Sequence, residues 1–321
     1  MPHLVDIVIP MYNRAHCVDD LIQELQNQTM QDFCAIIVDD GSTDGTFEVL
    51  QQRLKDAPFA YKLIKKENGG AASARNAALR AVTSEWVAFI DSDDRVKPHY
   101  LEYLVRAVTE AGADLGVCHY QSIVVEQNTP VCPDEAFSYQ VMTPAECMRM
   151  YCTQWLGVYC LLIRGDLVHG KNLYFDESCN YCEDAPYIAD VIEASSKVAH
   201  VNQQLYLYYT YEGSLSRSPQ VSKFISGIDS FRRMEVEMAC RNTEAARVFE
   251  EMGKARYYVA VCRKAAVQMS YEDFCKLVSY VDFRQYKDKL HNLIRSQRMA
   301  GAVLLVSKRA FYHAIRLLFR D

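Results

Sequence analysis

Trp86-Val-Ala-Phe-Ile-Asp-Ser-Asp-Asp94 is a short apolar run that ends in three closely spaced carboxylates, Asp91, Asp93 and Asp94. Such a run predicts a buried strand with acids at its carboxyl tip. Carboxylates that close repel one another, and a divalent cation with hard oxygen preferences, the kind that also grips a diphosphate, offsets that cost. A solvated acidic turn fits the same stretch, so the flanking chain has to decide between the two.

Upstream, strand and helix patterns alternate at short intervals. Leu4-Val-Asp-Ile-Val-Ile9 predicts a strand closed by Pro10, and Val18 to Gln28 sets Val18, Leu21, Ile22 and Leu25 on one helical face. Cys34-Ala-Ile-Ile-Val38 predicts a second strand, stopped by Asp39-Asp-Gly-Ser-Thr-Asp-Gly45, where Ser42, Thr43 or Asp44 can cap a helix that begins near Thr46. Tyr61 to Ile64 predicts a third strand, and Gly69 and Gly70 open an Ala-rich helix through about Val82. Downstream, Pro98 suits the first position of a helix whose Leu101, Leu104, Val105 and Val108 share a face before Gly112. Asp114 to Val125 is β-like, and Tyr139 to Thr143 is expected to pair with it. A helix over Pro144 to Cys152, a strand over Leu156 to Arg164, a helix over Ala185 to Ile192 and a strand over Val198 to Tyr209 follow. Beyond Pro219 only helical periodicity remains, as in Phe224, Ile228, Phe231 and Met234.

Near-continuous apolar strands alternating with amphipathic helices predict an α/β fold, a mostly parallel sheet flanked by helices, with residues 1–218 as its domain and 219–321 as a helical C-terminal region. In such sheets ligands bind beyond the carboxyl ends of the strands. Those ends carry Pro10-Met-Tyr-Asn-Arg14, Asp39-Asp-Gly-Ser-Thr-Asp44, Glu67-Asn-Gly-Gly70 and Asp91-Ser-Asp-Asp94. Asp39 and Asp40 suit hydrogen bonds to a base or ribose, or simple capping of the next helix. Tyr12 suits stacking on a base, or ordinary packing. Gly69-Gly-Ala-Ala-Ser-Ala-Arg75 allows backbone amides at a helix N-terminus to approach an anion, with Arg75 adding charge. It matches neither Gly-x-Gly-x-x-Gly nor a Walker loop, which counts against dinucleotide redox enzymes and P-loop nucleotidases. Glu183-Asp184 fits a general base or a helix-opening acid.

The 321 residues are 50% apolar and 24% charged, an ordinary globular composition, and the net charge of −6 argues against a general nucleic-acid binder. No run approaches the roughly 18 apolar residues of a spanning helix. The chain enters a strand at Leu4, so a cytoplasmic protein is expected. Its twelve cysteines are scattered among apolar residues and predict reduced, buried thiols; the close pair Cys179-Asn-Tyr-Cys182 has no second pair to complete a zinc site.

Ile7-Val-Ile-Pro-Met-Tyr-Asn-Arg14, Val38-Asp-Asp-Gly-Ser-Thr-Asp-Gly-Thr46, Glu67-Asn-Gly-Gly-Ala-Ala-Ser-Ala-Arg-Asn-Ala-Ala-Leu79 and Phe89-Ile-Asp-Ser-Asp-Asp94 stand in order, and together the chain resembles the family 2 inverting glycosyltransferases of the GT-A fold. The resemblance is strong over about residues 3–125 and extends weakly to about 218 through Glu183-Asp184 and Tyr208-Tyr-Thr-Tyr-Glu-Gly-Ser-Leu-Ser-Arg217. It implies a sugar-nucleotide donor, usually UDP-linked, with Pro10, Tyr12 and Asp40 around the base and Arg75 near the nucleotide. It also implies that Asp91 and Asp93 touch the ribose and a Mn²⁺ or Mg²⁺ on the diphosphate, that Asp94 supports them, and that Asp184 is the catalytic base. The acceptor it implies is a hydroxyl of a glycan or lipid-linked molecule in surface-polysaccharide assembly. No Gln-x-x-Arg-Trp of processive members is present, so one sugar per acceptor is expected.

Residues 299–320 combine Lys308, Arg309, Arg316 and Arg320 with Leu304, Leu305, Phe311, Ile315, Leu317, Leu318 and Phe319, and Arg298 stands just before them. They are expected to form a basic amphipathic helix for the inner face of an anionic membrane, for the helical region itself, or for a homodimer seam. The alternatives to a transferase are a nucleotidyltransferase, which calls for a Gly-rich basic loop after the first strand, and a sugar-nucleotide-binding scaffold with a lapsed site.

Overall fold

The computed structural model describes residues 3–127, 129–133, 136–154, 156–179, 181–210, 220–281, 288–289, 292 and 295–318. Residues 211–217 of the Tyr208–Arg217 motif, and Phe319 and Arg320 of the basic segment, lie outside them. By Cα proximity the chain forms two compact units. The first comprises Met1–Pro144, Leu156–Glu177 and Asp190–Tyr211, the second Ala145–Trp155, Ser178–Ala189 and Glu212–Asp321.

The first unit is built on a sheet with, among the described residues, nine strands: β1 Val5–Met11, β2 Phe33–Asp39, β3 Ala60–Lys65, β4 Trp86–Phe89, β5 Arg95–Val96, β6 Leu115–Val124, β7 Tyr139–Met142, β8 Leu161–Arg164 and β9 Val198–Thr210. The order is β3-β2-β1-β4-β8-β6-β9-β5, with β7 on β9. β3, β2, β1 and β4 are parallel, as their apolar character predicts; past β4 the sheet is mixed, β8 running antiparallel to both β4 and β6 while β6 and β9 are parallel. β7 pairs antiparallel with β9 rather than with β6, a correction to the expected pairing: it takes Val198–Val201 of β9, which β5 at Tyr206 and Leu207 leaves open.

Every residue of β2 is buried, and so are Val5, Ile7, Val8 and Ile9 of β1. Each of the Val, Ile and Phe side chains among them contributes about 1.5–3 kcal/mol by leaving water. The helices α1 Val18–Gln26, α2 Thr46–Arg53, α3 Gly70–Arg80 and α4 Tyr100–Ala111 connect these strands. The expected apolar faces are the inward ones, Val18, Leu21, Ile22 and Leu25 buried in α1 and Leu101, Leu104 and Val108 buried in α4, with Val105 half-buried. Gly112 (φ +59°) ends α4 in the left-handed conformation, and the Ala113 amide donates to the Val108 carbonyl. Pro98 stands two residues ahead of α4, its carbonyl accepting from the Thr29 amide.

The second unit is helical. It contains α5 Pro144–Thr153 from Ala145 onward, the start of α7 Asp184–Ala194, and α8 Val221–Ala239, α9 Glu244–Val248, α10 Lys254–Gln268, α11 Tyr271–Val281, α12 Arg295–Val306 and α13 Lys308–Leu318; a short α6, Gly165–Gly170, belongs to the first unit. Phe224, Ile228, Phe231 and Met234 form the buried face of α8, with Phe231 stacked on Tyr257 of α10 at 3.6 Å. The basic segment is two helices rather than one. It breaks at Ser307, and Phe311, Tyr312 and Ile315 of α13 turn inward, Phe311 stacking on Phe274 of α11. All twelve cysteines are free thiols, and burial pushes those of Cys147, Cys152 and Cys262 up to about 12. Among the described residues no helix is long and apolar enough to cross a membrane.

Candidate active site

Strand register assembles the site. Met11 lies beside Asp39 across β1 and β2, and Val8 beside Phe89 across β1 and β4, so the tips that carry Tyr12, Asp40 and Asp91 open on one edge. The Asp40 amide donates to the Met11 carbonyl (2.8 Å) and the Ile90 amide to the Val8 carbonyl (3.1 Å), extending the pairing past the strand ends.

The β1 loop is laced to the loop after β2. Asn13 adopts φ +51°, its amide donates to Ser42 Oγ (2.9 Å), and its Oδ1 accepts from the Thr43 amide (2.8 Å). The Arg14 amide donates to Thr46 Oγ1 (2.9 Å). Of the three expected caps for α2, it is Asp44 that accepts from the Thr46 amide (3.0 Å). This lacing aims Arg14 at the acidic loop, where Nη2 donates to Asp93 Oδ2 (3.1 Å).

The N-terminus of α3 is occupied by the protein's own anion. Asp40, buried, accepts from the amides of Gly69 (3.0 Å) and Gly70 (2.7 Å) and from Lys66 Nζ (2.6 Å). The helix dipole that was expected to meet a ligand is therefore met by a carboxylate. Gly41 (φ +73°) makes this closure possible, because a Cβ there would sit 2.7 Å from the Asn68 nitrogen. Asp39 is equally buried, and neither of its oxygens has a hydrogen-bond partner in the protein. Pro10, expected to close β1, lies within it in register with Val38, the strand ends at Met11, and Tyr12 beyond it is 42% exposed.

Arg75, buried on the first turns of α3, donates from Nη2 to Asp91 Oδ1 (2.8 Å) with its guanidinium 5.5 Å from the Phe175 ring centre. The next residue of α3 fixes that ring's backbone, since Asn76 Nδ2 donates to the Phe175 carbonyl (2.9 Å) and its Oδ1 accepts from the Phe175 amide (2.8 Å).

Asp94 turns into the protein. Its Oδ2 accepts from the Tyr206 hydroxyl (2.8 Å) and its Oδ1 from the Tyr209 amide (2.8 Å). Burial, and then the charges of Asp91 and Asp93, hold its carboxyl well above the usual range, against the pull of those two hydrogen bonds. The Tyr206 hydroxyl also accepts from the Asp91 amide (3.1 Å), so one buried tyrosine ties both ends of the acidic loop to β9. Tyr206 and Arg14 carry roles that sequence reasoning did not assign. Arg14 stands inside a motif it singled out, whereas nothing local marks Tyr206 among its neighbouring tyrosines.

Among the described residues no three His, Cys, Asp or Glu side chains gather closely enough to hold an ion by themselves. A cation on a diphosphate takes most of its ligands from phosphate and water and needs only one or two protein carboxylates. Asp91 and Asp93, with side chains 25% and 29% exposed, fit that smaller demand, and Asp94, drawn inward, supports the loop.

Asp184 belongs to the second unit, as the first residue of α7. There the Tyr151 hydroxyl donates to the Ala185 carbonyl (3.1 Å), and Arg256 lies 5.2 Å from the Tyr151 ring. Burial pushes the Tyr151 hydroxyl far up; Arg256 opposes this and the Asp184 charge adds to it.

Residues 6–146 match the family described as glycosyl transferase family 2. The chain is 29% identical over 222 residues to an uncharacterized glycosyltransferase, EpsJ, of Bacillus subtilis, covering 67% of this chain and 64% of that one, so it spans less than two thirds of that relative's length. In fold it is similar to S. aureus TarS (residues 1–349) solved in complex with UDP-GlcNAc, with a TM-score of 0.73, 18% identity, and coverage of 98% of this chain and 91% of that one. It is also similar to a mannosyltransferase of Pyrobaculum calidifontis solved with GDP-Man and Mn²⁺, with a TM-score of 0.58, 15% identity and coverage of 100% and 89%. The sheet and its flanking helices are GT-A-like. With its four motifs drawn to one sheet edge, the stretch 6–146 of this chain carries the features of the glycosyl transferase family 2 that it matches.

Proposed function

We propose that this chain transfers one sugar from a UDP-sugar to a hydroxyl of a glycan or lipid-linked acceptor, with inversion at the anomeric carbon, in surface-polysaccharide assembly. The observation that carries the reading is the pair of contacts from Arg14 to Asp93 (3.1 Å) and from Arg75 to Asp91 (2.8 Å) at the tip of β4. A departing diphosphate needs fixed positive charge near its oxygens and carboxylates to hold a ribose or a cation, and these four residues supply both. Tyr12 offers an exposed ring for the base, beside Pro10. Asp39 and Asp40 stand behind the same strand tips, and Asp39 holds two acceptor oxygens suited to a base N–H or a bridging water. The UDP-GlcNAc in TarS supports a uridine donor.

Asp91 and Asp93 would hold Mn²⁺ or Mg²⁺, which supplies countercharge to the leaving diphosphate. Arg75 and Arg14 orient the same diphosphate and shield its charge from the carboxylates. Asp184 acts as general base: it takes the proton of the acceptor hydroxyl as that oxygen attacks the anomeric carbon opposite the nucleotide. The bond to the diphosphate breaks, the centre inverts, and UDP leaves. A helix N-terminus, where Asp184 stands, favours a negative charge.

Turnover of UDP-sugars tests the assignment. Asp93→Asn is expected to lose metal-dependent turnover, and Asp184→Asn to fall by about a hundredfold or more while still binding UDP. Full activity of Asp184→Asn would remove it as the base, and full activity of Asp93→Asn would remove the leaving-group role of the acidic loop.

A further inference from the structure

Between Asp288 and Asp321 the chain carries Lys289, Arg295, Arg298, Lys308, Arg309, Arg316 and Arg320 and no acid, although the whole protein has a net charge of −6. Positive charge is thus concentrated in α12, α13 and their flanks.

The outward face of these helices is apolar where it should be polar. On α12, Leu304 and Gly301 point inward, while Met299 (60% exposed), Ala302, Val303 and Val306 (88% exposed) face solvent. Their spacing of three and four residues makes one continuous stripe along the helix. The stripe is flanked by exposed Arg298 and continues past Ser307 into exposed Arg309, Ala310 and His313 on α13, with Leu317 (73% exposed) a turn further on.

The inward face of α13 is already spent. Tyr312 Oη donates to the Met269 carbonyl (2.9 Å), and Arg316 donates to the carbonyls of Val267 and Met269. Its apolar side and one of its cations hold the second unit together, so any external contact falls to the α12 stripe.

We infer that the exposed stripe Met299, Ala302, Val303 and Val306, with Arg298 and Arg309, is a docking surface for an anionic phospholipid bilayer. The stripe enters the boundary between headgroups and acyl chains, and the exposed Arg309 guanidinium pairs with phosphates. Charge favours this occupant over a second copy of the chain, because a face-to-face pair would bring the Arg298 and Arg309 side chains of both copies together. The surface lies within the second unit and does not depend on the transfer reaction.

Co-sedimentation of the full chain with vesicles, in the absence of donor, tests the inference without reference to turnover. Binding is expected to phosphatidylcholine vesicles that contain phosphatidylglycerol, to weaken as salt rises, and to be absent with phosphatidylcholine alone. The double variant Met299→Asp/Val306→Asp is expected to lose about tenfold in bound fraction. Both side chains are exposed, so its thermal unfolding should match the parent and exclude misfolding as the cause. Arg309→Glu should weaken binding while the stripe stays intact. Failure of the parent to bind the anionic vesicles, equal binding to neutral ones, or undiminished binding by the double variant each overturns the inference. So does a parent dimer that the double variant dissociates without any vesicle binding, which assigns the stripe to a seam between copies.

Discussion

Replacing Tyr206 by Phe removes one oxygen and leaves the ring where it packs, stacked on Tyr159 with 4.1 Å between ring centres. That oxygen donates to Asp94 Oδ2 (2.8 Å) and accepts from the Asp91 amide (3.1 Å), and the residue is fully buried. A hydrogen bond to a buried carboxyl contributes about 1–3 kcal/mol, and a buried amide left without its acceptor costs about 1 kcal/mol more. Asp94 keeps the Tyr209 amide, so the loss is partial, and about 2–4 kcal/mol of destabilisation is expected. For a folded unit of about 150–250 residues that lowers Tm by roughly 5–10 °C. Differential scanning calorimetry measures it directly. Because the same oxygen anchors both ends of the acidic loop, the variant should also gain less Tm from added UDP. A Tyr206→Phe protein that melts within about 1 °C of the parent would refute the account of Tyr206 as the tie between β9 and the loop.

Gly41→Ala places a methyl 2.7 Å from the Asn68 nitrogen at a backbone with φ +73°. Strain and clash together should cost about 2–4 kcal/mol, read as a lower urea midpoint, and an unchanged midpoint would mean that the Asp40 clamp on α3 tolerates opening. His200 lies against His119, with 2.8 Å between their Nε2 atoms, and burial lowers its pKa to about 4. Its folded value lies below the unfolded one, so this stabilisation is complete above about pH 6.5 and is lost as pH falls toward 4. The full shift corresponds to about 3 kcal/mol, and water reaching the ring leaves about 1–3 kcal/mol to be seen. Urea midpoints measured across that window should fall less steeply in His200→Gln than in the parent, and parallel slopes would contradict the assignment.

The strands and their acidic or glycine-rich tips were legible in the sequence because they depend on local pattern: the apolar runs of β1, β2 and β4 and the periodicity of α1 and α4 each stand within a few residues. What was not legible depends on register between distant segments. Arg14 meets Asp93 and Tyr206 meets Asp94 only because β1, β4, β5 and β9 align in one sheet. Glycines at an α3 N-terminus read as an anion site, and they are one, but the anion is Asp40, supplied from the end of a neighbouring strand. β7 pairs with Val198–Val201 at the start of β9, a stretch that β5, paired with Tyr206 and Leu207 further along, leaves open. The break at Ser307 has no Gly or Pro to announce it; the packing of Phe311 on Phe274 and of Tyr312 on Met269 determines it.

A thermal-shift panel reads whether the sheet edge built from Tyr12, Arg14, Arg75, Asp91 and Asp93 binds a uridine diphosphate sugar, as proposed. Parent and Arg75→Ala proteins are heated with UDP, UDP-sugars, GDP or no nucleotide, each with and without Mn²⁺. At about a hundredfold excess over Kd a ligand adds about 2.7 kcal/mol to apparent stability. A rise of several degrees is expected with UDP or a UDP-sugar, larger with Mn²⁺ than without, and much reduced in Arg75→Ala. No shift with any uridine nucleotide, or the same shift in both proteins, would contradict it.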